Sequence, residues 1–394
     1  MASVVNRLMV TAQGGTPSPA LSVQDLSLLG LQNVDSSNLA RILAFVDRSA
    51  DDGSAIDSFD ELQALVLSTV RTQSAIDAAL LLIKDYADNP ATAVTPSLTD
   101  YAVVGVSGVT SANLATINSA LATTAVGSAQ VDTLGELQTV VDAFNRILAE
   151  ANGTVNDLTV ADPSAATYAA IGADIGLAAQ STTQGVNALA LLNDSLGAQV
   201  ATAVDLVSEI NTLAATANGV LVTAAGGSAN PALTDAAFAS LGITGVTAGN
   251  LADVLAAIAA TSDSGAQVNS LAALQAIVDT AVSRYNALST IVAYADSNAA
   301  LSTAPSLADF SLAGVSGVDN SNRLALASAL ASTTITGSQV DTTTELQTLV
   351  DAYRLILAEA NGAAIDATPS QNPVAATYSA IGATTAASLT NGSA

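Results

Sequence analysis

The stretch PSLTDYAVVGVSGVTSANLATINSALATTAVGSAQVDTLGELQTVVDAFNRILAEANG, residues 96–153, decides the fold because its pattern recurs along the chain. The clearest copy, residues 305–362, begins PSLADFSLAGVSGV and lies 209 positions later without a gap. Weaker copies begin at Pro19 and Pro231, which are 212 positions apart. Self-similarity at a fixed period is typical of a repeat architecture.

Two further segments, which start at Pro163 and Pro373, form a third class and lie 210 positions apart. The repeats predict an all-α tandem array of small three-helix-bundle modules, some of them joined by longer helices. The predicted boundaries are 1–18 (a partial module), 19–95, 96–162, 163–230, 231–304, 305–372 and 373–394 (a second partial module).

The partial ends have two explanations. Either the chain is a piece of a longer repetitive protein, or it is a subunit whose ends are completed by neighbours. In the second case the joining of unlike ends would be a heterologous contact, which propagates into a filament when it does not close.

Each module is predicted to contain three helices. In residues 96–153 the first helix covers 98–104 and stops at Gly105, where a missing Cβ lets the chain turn. The second is predicted to be N-capped by Thr110. The third opens with Thr133 and Glu136 at capping-box spacing. Its apolar positions recur at helical period: Leu137, Val140, Val141, Phe144, Ile147 and Leu148.

Two of the third helices are predicted to be longer than the others. They start after Ser58 and Ser270 and extend towards Asp88 and Asp296, where they join neighbouring modules. The second of these has Ala273 in place of the capping Glu, which predicts a weaker helix start. A β-hairpin is the alternative for the segment AVVGVSGV, because Val favours strands and Gly favours turns.

The composition predicts small cores. Half of the residues are hydrophobic, but only 3% are aromatic, so each core must be built from small side chains. Small modules are marginally stable alone, and stacking on neighbours would supply the missing burial.

The 34 acidic and 9 basic residues give a net charge of −25. This field repels nucleic acid and anionic membrane surfaces, so neither is expected as a partner. The expected partners are other copies of the chain, in a homo-oligomer or filament, or neighbouring modules of a longer chain. The acidic surface is interpreted as a means of staying soluble, with cation-dependent assembly as the alternative.

The sequence contains no Cys, His or Trp. The usual general base and the commonest transition-metal ligands are therefore missing, and the Ser and Thr residues have no basic partner nearby that would activate them. No apolar run approaches the ~20 residues of a membrane span, and the first residues lack a signal-peptide pattern. The chain is accordingly predicted not to be an enzyme and not to insert into a membrane.

One acidic loop is a candidate calcium site. The candidate ligands are Asp47, Asp51, Asp57, Asp60 and Glu61, which supply oxygens near a Gly as in a calcium-binding loop. The spacing departs from a twelve-residue EF-hand loop, so insertions must be assumed. The alternative is a solvated loop that ends at the N-cap of the next helix, with no cofactor.

Other polar residues are interpreted structurally. The Gly-x-x-Gly patterns at 105–108 and 314–317 lack a preceding strand and a Lys, so they are predicted to be turn glycines. Glu150 and Glu359 follow apolar helix faces and are predicted to face solvent.

The repeat resembles two kinds of bacterial module. The residues that carry the resemblance are Tyr101, Gly105, Val106, Asn113, Ile117, Asn118, Thr133, Glu136, Leu137, Val141, Asp142, Ile147, Leu148 and Ala149. They are similar to the three-helix GA-type modules of bacterial surface proteins. They also resemble the Ala/Thr/Val-rich tandem repeats of giant secreted adhesins and biofilm-matrix proteins. The resemblance implies an extracellular protein at the bacterial cell surface.

Two functions are consistent with these observations. The first is a non-enzymatic structural repeat, part of an adhesin, matrix fibre or self-assembling filament, with sticky apolar surfaces near residues 4–10 and 378–386. The alternative is a binding module that recognises a host or cell-surface protein or glycan, with or without dependence on calcium. The low aromatic content disfavours the second, because aromatic residues usually anchor such interfaces.

The calcium hypothesis predicts a measurable effect on stability. If the acidic loop binds calcium, millimolar calcium should raise the melting temperature, since binding to the folded state alone is stabilising. The double change Asp51→Ala and Asp57→Ala should remove this rise, measured by circular dichroism. No rise in the parent protein would end the hypothesis.

Overall fold

The structure, a computed structural model, describes residues 1–49, 56–155, 160–297, 303–360 and 372–383. Within these residues the chain forms α-helices and short 3-10 helices and no β-strand. The predicted all-α fold class is confirmed.

The helices follow one another in a recurring order of short, medium and long. They are α1 Ala2–Ala12, α2 Val23–Leu28, α3 Leu39–Asp47, α4 Phe59–Asp88, α5 Leu98–Val104, α6 Leu114–Leu121, α7 Leu134–Glu150, α8 Ala165–Ala170, α9 Thr183–Ala198, α10 Val207–Ala224, α11 Asp235–Leu241, α12 Leu251–Ala259, α13 Leu271–Asp296, α14 Leu307–Leu312, α15 Arg323–Leu330, α16 Thr343–Glu359 and α17 Ala375–Ala380. Short 3-10 helices lie at Ser128–Gln130, Gly176–Ala179, Ala201–Ala203 and Gly337–Gln339.

The helix ends predicted from local chemistry are largely those observed. Helix α5 ends at Gly105, which has the left-handed conformation with φ 93°. Helix α7 begins with a complete capping box between Thr133 and Glu136. Helix α13 has only half of such a box, because Ala273 offers its backbone N–H but no carboxylate. The β-hairpin alternative for AVVGVSGV is wrong, since its first half is helical.

The predicted cap at Thr110 is wrong. Helix α6 begins one turn later, with Asn113 at the N-cap position and no side-chain cap hydrogen bond. The carbonyl of Thr110 accepts hydrogen bonds from the N–H groups of Asn113 and Leu114, at 3.3 and 3.0 Å. A turn therefore occupies the place of the predicted first helical turn, because the side chain of Asn113 is bonded to the turn and cannot cap the helix.

The two long helices have the predicted extents, since α4 ends at Asp88 and α13 at Asp296. By length and composition α4 could cross a bilayer. One such helix is weak evidence for membrane insertion, because core helices pass the same test. Here α4 packs against α3 and α5 and buries Val66, Thr69 and Ile83.

The chain divides into two compact units, and the first comprises Met1–Asn152, Asp157–Asp174 and Val200–Asn211. One of its cores is built from α1, α2, α3 and the first half of α4, with Ile42 and Val46 fully buried. The second half of α4 packs against α5 and buries Ile83 and Ala87 there. Helix α4 thus has apolar contacts with two successive sets of helices.

The second unit comprises Gly153–Asn156, Ile175–Gln199 and Thr212–Ala394. One of its cores combines the second half of α13 with α14, α15 and the start of α16. The first half of α13 packs instead against α12. In both units the described cores therefore use four helical segments, namely three of one predicted module and part of the helix before them.

Helix α1 is held to α2 by an ion pair as well as by the core. The guanidinium of Arg7 lies 2.6 Å from a carboxylate oxygen of Asp25, and both side chains are mostly buried. Hydrogen bonds from Arg7 and Ser22 lower the pKa of Asp25 to about 2. The predicted apolar surface near residues 4–10 is divided, because Val4 and Leu8 are buried whereas Val5 and Val10 are exposed.

A buried polar pair distinguishes two copies of the same module. The hydroxyl of Tyr101 donates to Oδ1 of Asn118 at 2.6 Å, and Nδ2 of Asn118 donates to the carbonyl of Pro96 at 2.9 Å. The positions 209 residues later are Phe310 and Ala327, both buried. Both partners of the side-chain pair are therefore absent together from the second copy.

This pair predicts a non-additive response. Tyr101→Phe should destabilise the first unit by about 1–3 kcal/mol, because Asn118 remains buried without its hydroxyl partner. The double change Tyr101→Phe and Asn118→Ala reproduces the second copy and should recover part of that loss, as measured by urea unfolding. Additive losses from the two single changes would contradict the coupling.

Candidate functional site

The predicted calcium ligands lie at two neighbouring helix ends. Asp47 is the exposed last residue of α3, and Asp60 and Glu61 are exposed in the first turn of α4. Asp57 is exposed just before that helix, and Asp51 lies outside the described residues. Among the residues that the structure describes, no three acidic side chains form a group that could hold a metal ion. The calcium site stays a prediction.

The last of these ligands has a structural role of its own. One carboxylate oxygen of Glu61 accepts from the backbone N–H and the hydroxyl of Ser58, at 3.1 and 2.8 Å. These bonds and one from Asp57 lower the pKa of Glu61. A calcium ion at Glu61 would have to compete with this capping box.

In four of the predicted modules, a glutamine fixes the turn after the first helix. In the module at Pro96, Gln138 accepts from the N–H of Ser107 at 2.9 Å and donates to its carbonyl at 3.1 Å. The same two bonds recur in three other modules, between Gln63 and Gln32, Gln275 and Thr244, and Gln347 and Ser316. The side-chain amide of the recurring Gln thus pairs with both the N–H and the carbonyl of one turn residue, as a backbone amide does in a β-ladder.

A buried asparagine closes the same turn from the other side. Asn113 accepts from the N–H of Thr110 at 2.7 Å and donates to the carbonyl of Gly108 at 2.8 Å. Asn38, Asn250 and Asn322 make the equivalent pair of bonds. The residue at the Gly108 position has positive φ in all four copies, and Asn33 is the one copy without Gly there. The Gly-x-x-Gly patterns are confirmed as turns.

A third contact links each long helix to the module after it. At the end of α4, Oδ1 of Asp88 accepts from the N–H of Ser128 at 2.7 Å, in the following 3-10 helix. At the end of α13, Oδ1 of Asp296 accepts from the N–H of Gly337 at 2.6 Å. The bond from the Ser128 backbone is the largest cause that lowers the pKa of Asp88, and the charge of Lys84 adds to it. We call Asp88 and Asp296 the helix-end carboxylates.

The prediction that Glu150 faces solvent is wrong, because this side chain is only 2% exposed. Helix α8 packs against α7, the helix that ends at Glu150. Tyr168 of α8 is fully buried, which raises the pKa of its hydroxyl, and the charge of Glu150 raises it further. Glu359, at the equivalent place in α16, is half-buried.

An open cleft of about 480 Å³ in the first unit has a lining of small and polar side chains. It includes Thr123, Thr124, Gly172, Ser208 and Asn211. The lining also contains Asp174, and it has no His, Lys or Arg beside its hydroxyl groups.

Comparison with known protein families, curated proteins and solved structures finds no match for this chain.

The helix-end carboxylates and the clamping Gln and Asn residues were not singled out as functional from the sequence. The Gln recurs at positions 63, 138, 275 and 347, five residues after each N-cap. That fixed offset is a signal that could have been used. The fixed offset indicates contacts within the chain, because each of these Gln side chains binds the backbone of a turn earlier in the same chain.

The helix-end carboxylate of α4 predicts a pH-dependent stability. Because the pKa of Asp88 is lowered in the folded state, its contribution is present above the ordinary Asp pKa and is lost as pH falls through the lowered value. Asp88→Asn should therefore lower the melting temperature at about pH 7, and the difference from the parent should shrink as the pH falls below the ordinary Asp pKa.

The exposed Asp263 provides a matched control, because Asp263→Asn makes the same change of charge in a loop. It should leave the melting temperature nearly unchanged at each pH, as followed by circular dichroism. Equal melting of the Asp88→Asn variant and the parent at neutral pH would contradict the assigned role.

Proposed function

We propose that this chain is a non-enzymatic structural repeat of the bacterial cell surface or extracellular matrix. It would form part of an adhesin, a matrix fibre or a self-assembling filament, and its modules would act through their length and their mutual contacts. Its partners are then neighbouring modules or other copies of the chain.

One observation carries this proposal: the long helix α13 is shared by two sets of helices. Its first half buries Leu274 and Val278 against α12 and its neighbours, and its second half contributes Ile291 and Tyr294 to the next core. A spacer gains from this arrangement, because adjacent cores cannot separate without the helix between them breaking. In this view each predicted three-helix module is completed by the helix before it.

The recurring polar residues support the same function. Gln138, Asn113, Asp88 and their equivalents bind the backbone of the chain itself, so the repeated signature serves geometry. The net charge of −25 suits an exposed, abundant protein that must not stick to itself at random.

The shared helix gives the proposal a direct test. Arg284 is exposed and lies between the two buried stretches of α13. Arg284→Pro should break the helix, at a cost of about 3 kcal/mol or more, and should split the unfolding of the two flanking cores into separate calorimetric transitions.

Arg284→Ala is the matched control, because it removes the same side chain and preserves the helix. It should unfold like the parent, in which the two cores melt together. If the parent already shows independent transitions for these cores, the proposed mechanical coupling is refuted.

A further inference from the structure

Helix α4 is about one helical turn longer than α13, which has the same place in the second unit. The two helices have 30 and 26 residues, and a turn takes about 3.6 residues. Their N-caps, Ser58 and Ser270, lie 212 positions apart, whereas the helix-end carboxylates Asp88 and Asp296 lie 208 positions apart. The extra four residues therefore lie inside α4, between the two sets of helices that it joins.

These residues lengthen the part of α4 that neither core covers. Thr69 is buried in the first half and Ala79 in the second, and none of the nine residues between them, 70–78, is buried. In α13 the equivalent part lies between Ala281 and Ala287 and has only five residues, 282–286. We call residues 70–78 the linking stretch of α4.

The linking stretch, VRTQSAIDA, contains side chains that support a helix poorly. Val70, Thr72 and Ser74 have a lower helix propensity than Ala or Leu. The hydroxyls of Thr69, which precedes the stretch, and of Thr72 each donate to the carbonyl four residues earlier, at 2.9 Å. Such bonds slightly destabilise a helix and often bend it. The helix is therefore held weakly here by its own residues.

The neighbouring helices also hold the two long helices differently. In α13, Tyr285 is half-buried and lies across Gly249, since a Cβ at Gly249 would be 2.9 Å from the Tyr285 hydroxyl oxygen. The residue 212 positions before Tyr285 is Gln73, which accepts a partly exposed hydrogen bond from Arg41 of α3. A packed ring resists opening through its buried area, whereas water can replace a hydrogen bond near the surface.

We propose that α4 opens locally at the linking stretch while both flanking cores stay folded, so that the first unit yields there before it unfolds. The free energy of a local opening depends on the burial and hydrogen bonds that it removes, and this one removes no buried side chain. Val66 and Ile83, both fully buried, anchor the helix on either side and confine the opening. The inference rests on the proposed function, because it specifies which long helix lets an array of modules bend or extend.

Hydrogen exchange of the full chain, followed by mass spectrometry, tests the inference. After correction for intrinsic rates, the amides of residues 70–78 should exchange at least about tenfold faster than those of 282–286 in α13. Their rate should not change with urea at concentrations below the unfolding transition, because a local opening exposes little new surface. The amides near Val66 and Ile83 should exchange more slowly, and their rates should rise with urea.

A pair of alanine substitutions separates loss of helix from other causes of fast exchange. Thr72 and Ser74 are exposed, so Thr72→Ala with Ser74→Ala removes no buried contact. The pair should slow exchange in the linking stretch by about fivefold, because Ala has the higher helix propensity. Thr280→Ala with Thr290→Ala is the matched control, since it changes two exposed residues of α13. It should leave exchange at residues 70–78 unchanged.

Equal exchange in the linking stretch and in residues 282–286 would overturn the inference. So would exchange at 70–78 that rises with urea in parallel with the core amides, because the stretch would then open only by global unfolding. Exchange that is unaffected by the alanine pair in α4 would contradict an opening through loss of helix. These results are separate from the proposed coupling through α13, which calorimetry of the Arg284 variants measures.

Discussion

The structure depends on how little apolar surface one module can bury by itself. Its side chains are small, with few aromatic rings, and the first and second helices have only six to nine residues in the modules that begin at Pro19, Pro96, Pro231 and Pro305. Such elements cannot form a stable core alone. Sharing α4 and α13 between successive sets of helices increases the apolar surface that is buried. The first half of each long helix buries side chains in one core, and the second half buries side chains in the next. The long connecting helix therefore compensates for the small core of the repeat.

A second constraint comes from the turns, which leave backbone groups that helices would otherwise satisfy. In four modules the turn after the first helix receives two bonds from a Gln on the third helix and two from a buried Asn. These amides can donate and accept at once, which is what an isolated peptide group requires. A carboxylate could only accept, so the choice of Gln and Asn follows from the hydrogen-bonding inventory. The motif is a way to hold a tight turn on a helix.

The parts of the fold that local chemistry controls could be predicted from the sequence. Gly105, Thr133 and Glu136 signal helix ends because their effect needs only a few neighbouring residues. The cap at Thr110 was predicted wrongly because a neighbouring side chain, Asn113, closes a turn there. The exposure of Glu150 was predicted wrongly because its burial depends on residues outside its own helix. The acidic candidate site could not be decided by local reasoning, since Glu61 caps α4 and would also be a ligand in the predicted metal loop. Sequence alone could not separate those roles, because both need the same carboxylate.

The two gap-free copies at Pro19 and Pro231 separate the residues that make the fold from those that face a neighbour. Positions that are identical or equivalent in both, such as Gly30 and Gly242 or Gln63 and Gln275, bind the chain's own backbone or permit its turns. Positions that differ, such as Phe59 and Leu271, are half exposed in the first copy and nearly buried in the second, where the carboxylate of Asp194 in α9 accepts from the N–H of Leu271. The constant frame therefore leaves the first residue of the third helix free to differ with what packs on it.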